Sequence, residues 1–237
     1  MRVLAWNMGG VPRWDDTAFT DWIAQHDADI ICLQGQAPGA VSLNARHPQG
    51  YHARWLNQSA VLSRLALRGW QNGLGLPRYD SEERVLIAEL PRFTLVNLIA
   101  PTGNAGRQDW FYKLAFLHAW RDALERWRAE GTSIVLCAAL HIAHRTADTT
   151  QPDYHGPGST AEERAWVDEL LALGFVDSFR ALHPQAEGRY TWTNGAGAAQ
   201  RTDYILLTPD LVASLESASI QEPVLGGRFR PISITIT

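Results

Sequence analysis

The sequence predicts an α/β protein, and three stretches carry that prediction. Residues 2–6, 17–25 and 28–34 read in succession as a strand, an amphipathic helix with Phe19, Trp22 and Ile23 on one face, and a buried strand, which is the order of an α/β unit. Residues 133–144 (SIVLCAALHIAH) form an unbroken apolar run that ends in small residues and two histidines. Such a run is expected of a strand buried on both faces that delivers its C-terminal end to a site. Ahead of it, Phe111, Leu114, Phe116, Leu117, Trp120 and Leu124 recur at helical spacing over residues 109–129, and Gly131 stops the helix.

The remaining elements follow in chain order. Asn7 closes the first strand before the turn signal Met8-Gly9-Gly10. From Gly50 the texture becomes strand-rich, with short runs at 51–55, 59–63, 84–89 and 93–99 separated by Gly, Pro and Asn. A loop at 101–106 leads into the long helix. After a polar loop at 145–158, Ser159-Thr160-Ala161-Glu162-Glu163 reads as a helix cap with carboxylates in the first turn. That helix runs through Trp166, Leu170 and Leu171 to Gly174, and residues 175–179 read as its continuation. Residues 190–192, 202–207 and 232–236 are the last strands. The strand period of two places Ala139 and His141 on one side of the central strand.

The 237 residues, 46% of them hydrophobic and 19% charged, suffice for one sizeable core, so a single domain spanning 1–237 is expected. No stretch approaches the roughly 18 apolar residues of a membrane helix. The first residues enter a strand directly, without a leader's apolar region, and a cytoplasmic protein is expected. Cys32 and Cys137 both lie inside apolar strand-like runs and read as small buried hydrophobes. The formal charge of −4 excludes a globally basic nucleic-acid binder but not a local patch. All but one of the 21 basic residues are arginine, the exception being Lys113.

Ten segments, in order, carry a resemblance to a known family: LAWNMGG, ADIICLQ, SAVLSR, EERVLIAEL, FTLVNL, WFYKLAFL, IVLCAALHIAH, EERAWVDELLALGFVDSFRALHP, YTW and RTDYIL. Together they resemble the exonuclease III-like, abasic-site endonuclease branch of the endonuclease/exonuclease/phosphatase superfamily, over nearly the whole chain. The resemblance implies a four-layer α/β (α+β) sandwich: two mixed, mainly antiparallel sheets packed face to face and flanked by helices, with the site at one edge. It also implies a divalent-metal site and a role on DNA, in repair.

The same resemblance maps family site positions onto this chain. Asn7, Tyr112 and Asp203 match the pattern. Gly35 stands where a glutamate is expected, Ala139 and His141 replace the aspartate and asparagine of a GDxN segment, and Arg228 and Phe229 replace the aspartate and histidine of a terminal SDHxP. Magnesium takes hard oxygen ligands, usually one or two carboxylates, and Phe229 neither takes nor gives a proton. These replacements lead to the expectation of a catalytically inactive homologue, without a metal cofactor, that binds DNA or another phosphate-bearing ligand.

In that reading Arg228 takes the place of the metal as phosphate binder, with His141, Asn7 and Tyr112 lining the pocket. Arg107, Lys113, Arg145, Arg189 and Arg201 form a basic rim, and tryptophans such as Trp14, Trp55, Trp70, Trp110 and Trp192 offer faces for unpaired bases. Two alternatives stay open. One is a metal-dependent nuclease or phosphodiesterase with a site rebuilt on His141 and Asp203, in which His144, with His155, Asp148 or Asp153, extends a transition-metal site. The other is a protein-interaction scaffold with no nucleic-acid role, its partner a protein.

Overall fold

The computed structural model describes residues 1–9, 16–35, 48–224 and 226–237; Gly10 and Trp14 lie outside them. One six-stranded sheet contains β1 (Arg2–Asn7), β2 (Ile30–Gln34), β3 (His52–Trp55), β4 (Ser59–Ser63), β13 (Leu215–Ile220) and β14 (Ile232–Ile236), in the order β13-β14-β1-β2-β4-β3. The second contains β5 (Gly69–Asn72), β6 (Val85–Glu89), β7 (Thr94–Ile99), β8 (Ile134–Ala139), β9 (Val176–Asp177) and β12 (Asp203–Leu207), in the order β5-β6-β7-β8-β12-β9. The β1–β2 and β7–β8 pairs are parallel, and the other pairs within the two sheets are antiparallel. A two-stranded hairpin, β10 (Trp192–Thr193) and β11 (Ala199–Gln200), stands apart.

Sequence alternation explains the layering. In β1, Val3 and Ala5 enter the core between the sheets while Leu4 and Trp6 pack outward against Phe19, Trp22 and Ile23 of α1 (Asp16–His26). In β8, Val135 and Cys137 face the same inter-sheet core, whereas Ile134, Leu136 and Ala138 face α3 (Arg107–Ala129) and α4 (Ala161–Ala172). Strands covered on both faces read as continuous apolar runs, so the expected sandwich of two mixed sheets between helices is what forms. Phe116, Leu117, Trp120 and Leu124 make the buried stripe of α3, and the Trp166 indole of α4 donates to the Leu117 carbonyl at 2.8 Å.

Three expectations are corrected. Residues 175–179 do not continue α4: Gly174, at φ 92°, ends it, and the chain makes the short strand β9 and then α5 (Ser178–Leu182), capped by Asp177. The central strand ends at Ala139, and His141 sits at φ 54°, so strand alternation does not extend to His141. The short helices α2 (Pro77–Asp80) and α6 (Pro209–Val212) and the strands β5, β11 and β13 were not expected.

The sheets are also joined by polar groups. Asn97 of β7 donates to the Leu33 and Ala60 carbonyls of the opposite sheet at 2.9 and 2.8 Å and accepts from Gln34 Nε2 at 2.8 Å. All of this lies in the interior, where removing one partner strands the others unsatisfied. Asn97→Leu is expected to cost about 3 kcal/mol or more, read from the midpoint of urea unfolding.

Candidate active site

The site lies where β1, β2, β8 and β12 end together. Asn7 closes β1, buried, with its Oδ1 accepting the Gly9 amide at 2.9 Å and its Nδ2 without a close hydrogen-bond partner. Gly35 follows β2 at φ 81°, and a Cβ there would lie 3.4 Å from Asn7 Oδ1. A Cβ on Gly9 would lie 3.0 Å from that oxygen and 3.4 Å from the Phe229 ring. Small residues therefore let three chain segments converge on one carboxamide.

Asp203 opens β12 directly across from Ala139 of β8. Its Oδ2 accepts the Thr191 hydroxyl and, at 3.0 Å, the Thr202 hydroxyl; its Oδ1 is buried and takes no close hydrogen bond, the Asn7 carboxamide being the remaining side-chain donor to the carboxylate. Burial pushes its pKa up to about 6, against the pull of these hydroxyls, Asn7 and Arg201.

His141 leaves the strand end in the left-handed region and sets its ring edge-on to Phe229, centroids 6.1 Å apart. Burial, with Lys113 and Arg84 adding like charge, drives its pKa down to about 3, so the imidazole is neutral at physiological pH. Its carbonyl accepts from Lys113 Nζ at 3.0 Å. The same ammonium reaches the Thr102 carbonyl at 3.5 Å and pairs with Glu163 Oε1 at 2.6 Å, both charged side chains being fully buried. Glu163 Oε2 in turn accepts from the Gly158 amide at 2.7 Å and from the Thr160 amide and hydroxyl at 3.1 and 3.0 Å.

Thr102, His141 and Gly158 all line a cleft of about 460 Å³. Its other walls include Tyr154, Trp192 and Phe229, and the carboxamides of Asn104, Gln151, Asn194 and Gln200. Phe229 is held beside the hairpin by a bridge to Trp192 and by the Trp6 indole, which donates to its carbonyl at 3.3 Å.

Several expected site residues lie elsewhere. Tyr112 turns to α2, its hydroxyl donating to the Arg78 carbonyl at 3.2 Å and its ring packing on Tyr79. Arg228 is exposed, at a bend, and does not line the cleft; its neighbour Phe229 does. The basic rim is corrected at two positions. Lys113 is buried in the ion pair just described, and Arg201 is buried against Asp148 at 2.8 Å and Asp177 at 2.7 Å, with Arg180 completing the network. Arg107, Arg145 and Arg189 are exposed, and Arg107 lines a neighbouring hollow with Trp110 and His155. The proposed histidine–aspartate cluster does not assemble: His144 bonds Asp168 of α4 at 2.7 Å, Asp148 belongs to the arginine network, and Asp153 and His155 are exposed.

The family's sequence profile, described as Endonuclease/Exonuclease/phosphatase family, matches residues 4–224. The chain belongs to this family. It is 30% identical to an exodeoxyribonuclease of Bacillus subtilis over all of this chain and 99% of that protein. It is likewise 30% identical to the DNA repair nuclease APEX1 of Danio rerio, over 99% of this chain and 81% of that one. The fold superimposes on the 3′ phosphatase NExo from Neisseria bound to a product DNA hairpin, with TM-score 0.89, 22% identity and coverage of 100% and 99% of the two chains. An AP endonuclease from Archaeoglobus fulgidus gives TM-score 0.85, 22% identity and the same coverage.

Two expectations fall with these findings. The chain was expected to be an inactive homologue, but its whole-length relatives are a nuclease and a repair nuclease, which favours the alternative of a nuclease with a site rebuilt on His141 and Asp203. The expectation of no metal cofactor is corrected by membership of a family of metal-dependent nucleases. The residues present meet that requirement at its lower bound. Magnesium can be held through one carboxylate plus waters and substrate oxygens, and Asp203 supplies one buried carboxylate. Gly35 and Ala139 add no donor, and among the described residues no group of three His, Cys, Asp or Glu side chains converges.

Two stability measurements test this geometry. Lys113→Met leaves the Glu163 charge buried and alone and is expected to cost about 3–5 kcal/mol, with Lys113→Met/Glu163→Leu recovering part of it in thermal melts. For Asp203 the folded pKa lies above the unfolded value near 3.8, so the folded state holds the proton longer. Its contribution to stability is greatest below pH 4 and declines as pH rises towards 6, by about 3 kcal/mol for two units. Asp203→Asn lacks this titration, so its melting temperature should gain on the wild type between pH 4 and 7.

Proposed function

We propose that this protein is a nuclease or phosphodiesterase that acts on DNA, with Asp203 and His141 at the centre of its site. The observation that carries the reading is the Asp203 carboxylate: buried, held by the Thr191 and Thr202 hydroxyls, with a pKa of about 6, and next to Thr202 on the wall of the cleft. A carboxylate is not raised to that value by chance alignment with a surface cation; burial sets it, and groups poised near the operating pH suit proton transfer. Two hydroxyl donors on Oδ2 fix the carboxylate's orientation.

In its ionised form Asp203 can take a proton from an attacking water or hold a divalent cation. A cation held there would supply Lewis-acid polarisation of the phosphoryl oxygen. Neutral His141 can offer a ring hydrogen bond to a phosphate oxygen, or accept one from a water, without competing for the proton. The Asn7 carboxamide acts as a donor to the Asp203 carboxylate and can shift to developing negative charge. The similarity to an exodeoxyribonuclease and a DNA repair nuclease supports DNA as the substrate.

The test is cleavage of labelled duplex, single-stranded and abasic-site DNA, and release of a 3′ phosphate, in magnesium or manganese. Asp203→Asn should lower kcat by a factor on the order of 100 or more and His141→Ala by about tenfold. Cleavage indifferent to Asp203→Asn, or none with any of these DNAs, would overturn the reading.

A further inference from the structure

The cleft beside Asp203 is unusual for a site that handles DNA, because none of the described side chains lining it is Asp, Glu, Lys or Arg. Phosphate is recognised by guanidinium or ammonium groups, or by nests of backbone N–H groups at helix starts. Its one titratable base, His141, carries no charge at neutral pH. What the cleft offers instead is three aromatic rings, Tyr154, Trp192 and Phe229, and four primary carboxamides.

The carboxamides are not spent on one another. Asn194 Oδ1 accepts the Ala196 and Ala198 amides at 2.8 and 3.0 Å, and Asn104 Oδ1 accepts the Thr102 hydroxyl at 2.8 Å, which leaves each –NH₂ group to point its donors elsewhere. Gln151 is exposed and Gln200 is half-buried on β11. Flat, uncharged ligands with donors and acceptors around their edge match this set. Carboxamides pair with base edges in a bidentate manner, and aromatic rings stack on base faces. The volume of about 460 Å³ lies within the range of small-molecule sites.

We infer that the cleft lined by Trp192, Phe229 and the Gln200 and Asn194 carboxamides takes an intact, unpaired nucleobase. The protein therefore engages DNA at a base that is single-stranded, terminal, mismatched or turned out of the helix, rather than through a sugar that has lost its base. This rests on the reading of the protein as a DNA-directed phosphodiesterase and narrows its substrate. Unpairing costs least where the base is already unstacked, so such positions are preferred.

The experiment separates this inference from the reading beneath it. In EDTA, where no cleavage occurs, the full chain is titrated into a labelled oligothymidylate and into an oligonucleotide of equal length made of tetrahydrofuran abasic residues, at two salt concentrations. Binding of the based strand about tenfold tighter is expected, in line with stacking of one base, with the preference kept at the higher salt. Trp192→Ala should abolish most of that preference. Gln200→Leu, which keeps the bulk but removes the edge donors and acceptors, should flatten differences among homopolymers of the four bases and lower their affinity, while part of the margin over the abasic strand, the part due to stacking on Trp192, remains.

Equal affinity for the two strands would overturn the inference. If metal-dependent cleavage were still observed, the nuclease reading would survive it. Loss of both binding and cleavage would remove the two together.

Discussion

The edge of the sandwich that carries the site depends on one buried ammonium group. Lys113 is the chain's single lysine among 21 basic residues, and it lies in the interior, as Arg201 and Arg180 do. Desolvation lowers its pKa, and Glu163 works against that. Its three protons meet a carboxylate and two carbonyls that belong to different loops, a divergent arrangement that a small ammonium satisfies and a planar guanidinium does not. Space is equally decisive: a Cβ on Gly103 would fall 2.9 Å from the Lys113 Cδ. The chain's general use of arginine stops at the place where arginine does not fit.

From that pair the cleft wall is built by relay. Lys113 fixes the His141 carbonyl, Glu163 fixes the Gly158 amide, and the Gly158 carbonyl receives the Ala143 amide at 2.8 Å. A Cβ on Gly158 would lie 2.9 Å from the His141 carbonyl, and Gly158 itself is at φ 87°, so glycine there is required on both counts. His141 can occupy its left-handed backbone because histidine, like asparagine and aspartate, is among the non-glycine residues that tolerate it. The relay has an energetic counterweight in Asp203, whose burial costs stability at neutral pH. Functional groups held out of equilibrium with water are supported by well-satisfied neighbours, and here those neighbours are the Lys113–Glu163 pair and the arginine network around Asp148.

Much of the fold was legible because the central strands are covered on both sides. Residues 59–63 and 232–236 form strands at the bounds the sequence pattern predicts. The edge elements were not, since LESASI of β13 buries only Ala218 and offers no sustained alternation. At the site, Asn7, His141, Asp203 and Phe229, which family order marks as retained or replaced positions, come together at one edge of the sheets, whereas Arg228 and Tyr112 do not join them. Direction was beyond it: a charge in the sequence does not say whether its acid is near, and Lys113 and Arg201 meet Glu163, Asp148 and Asp177 only in three dimensions. The cleft carboxamides went unnoticed because they come from four separate loops and hairpin positions. The turn signal Asn194-Gly195-Ala196-Gly197 was the available hint to the hairpin that bears two of the cleft's walls.

The two cysteines add a property of the folded chain as a whole. Cys32 of one sheet and Cys137 of the other sit in the shared core close enough to interact, and burial raises the Cys32 thiol well above its ordinary range. Both thiols are free and buried. With both sulfurs buried, a maleimide in the buffer has no target until the sandwich comes apart. The pair is thus a built-in clock: the rate at which thiol-specific reagents consume it counts how often the two sheets separate.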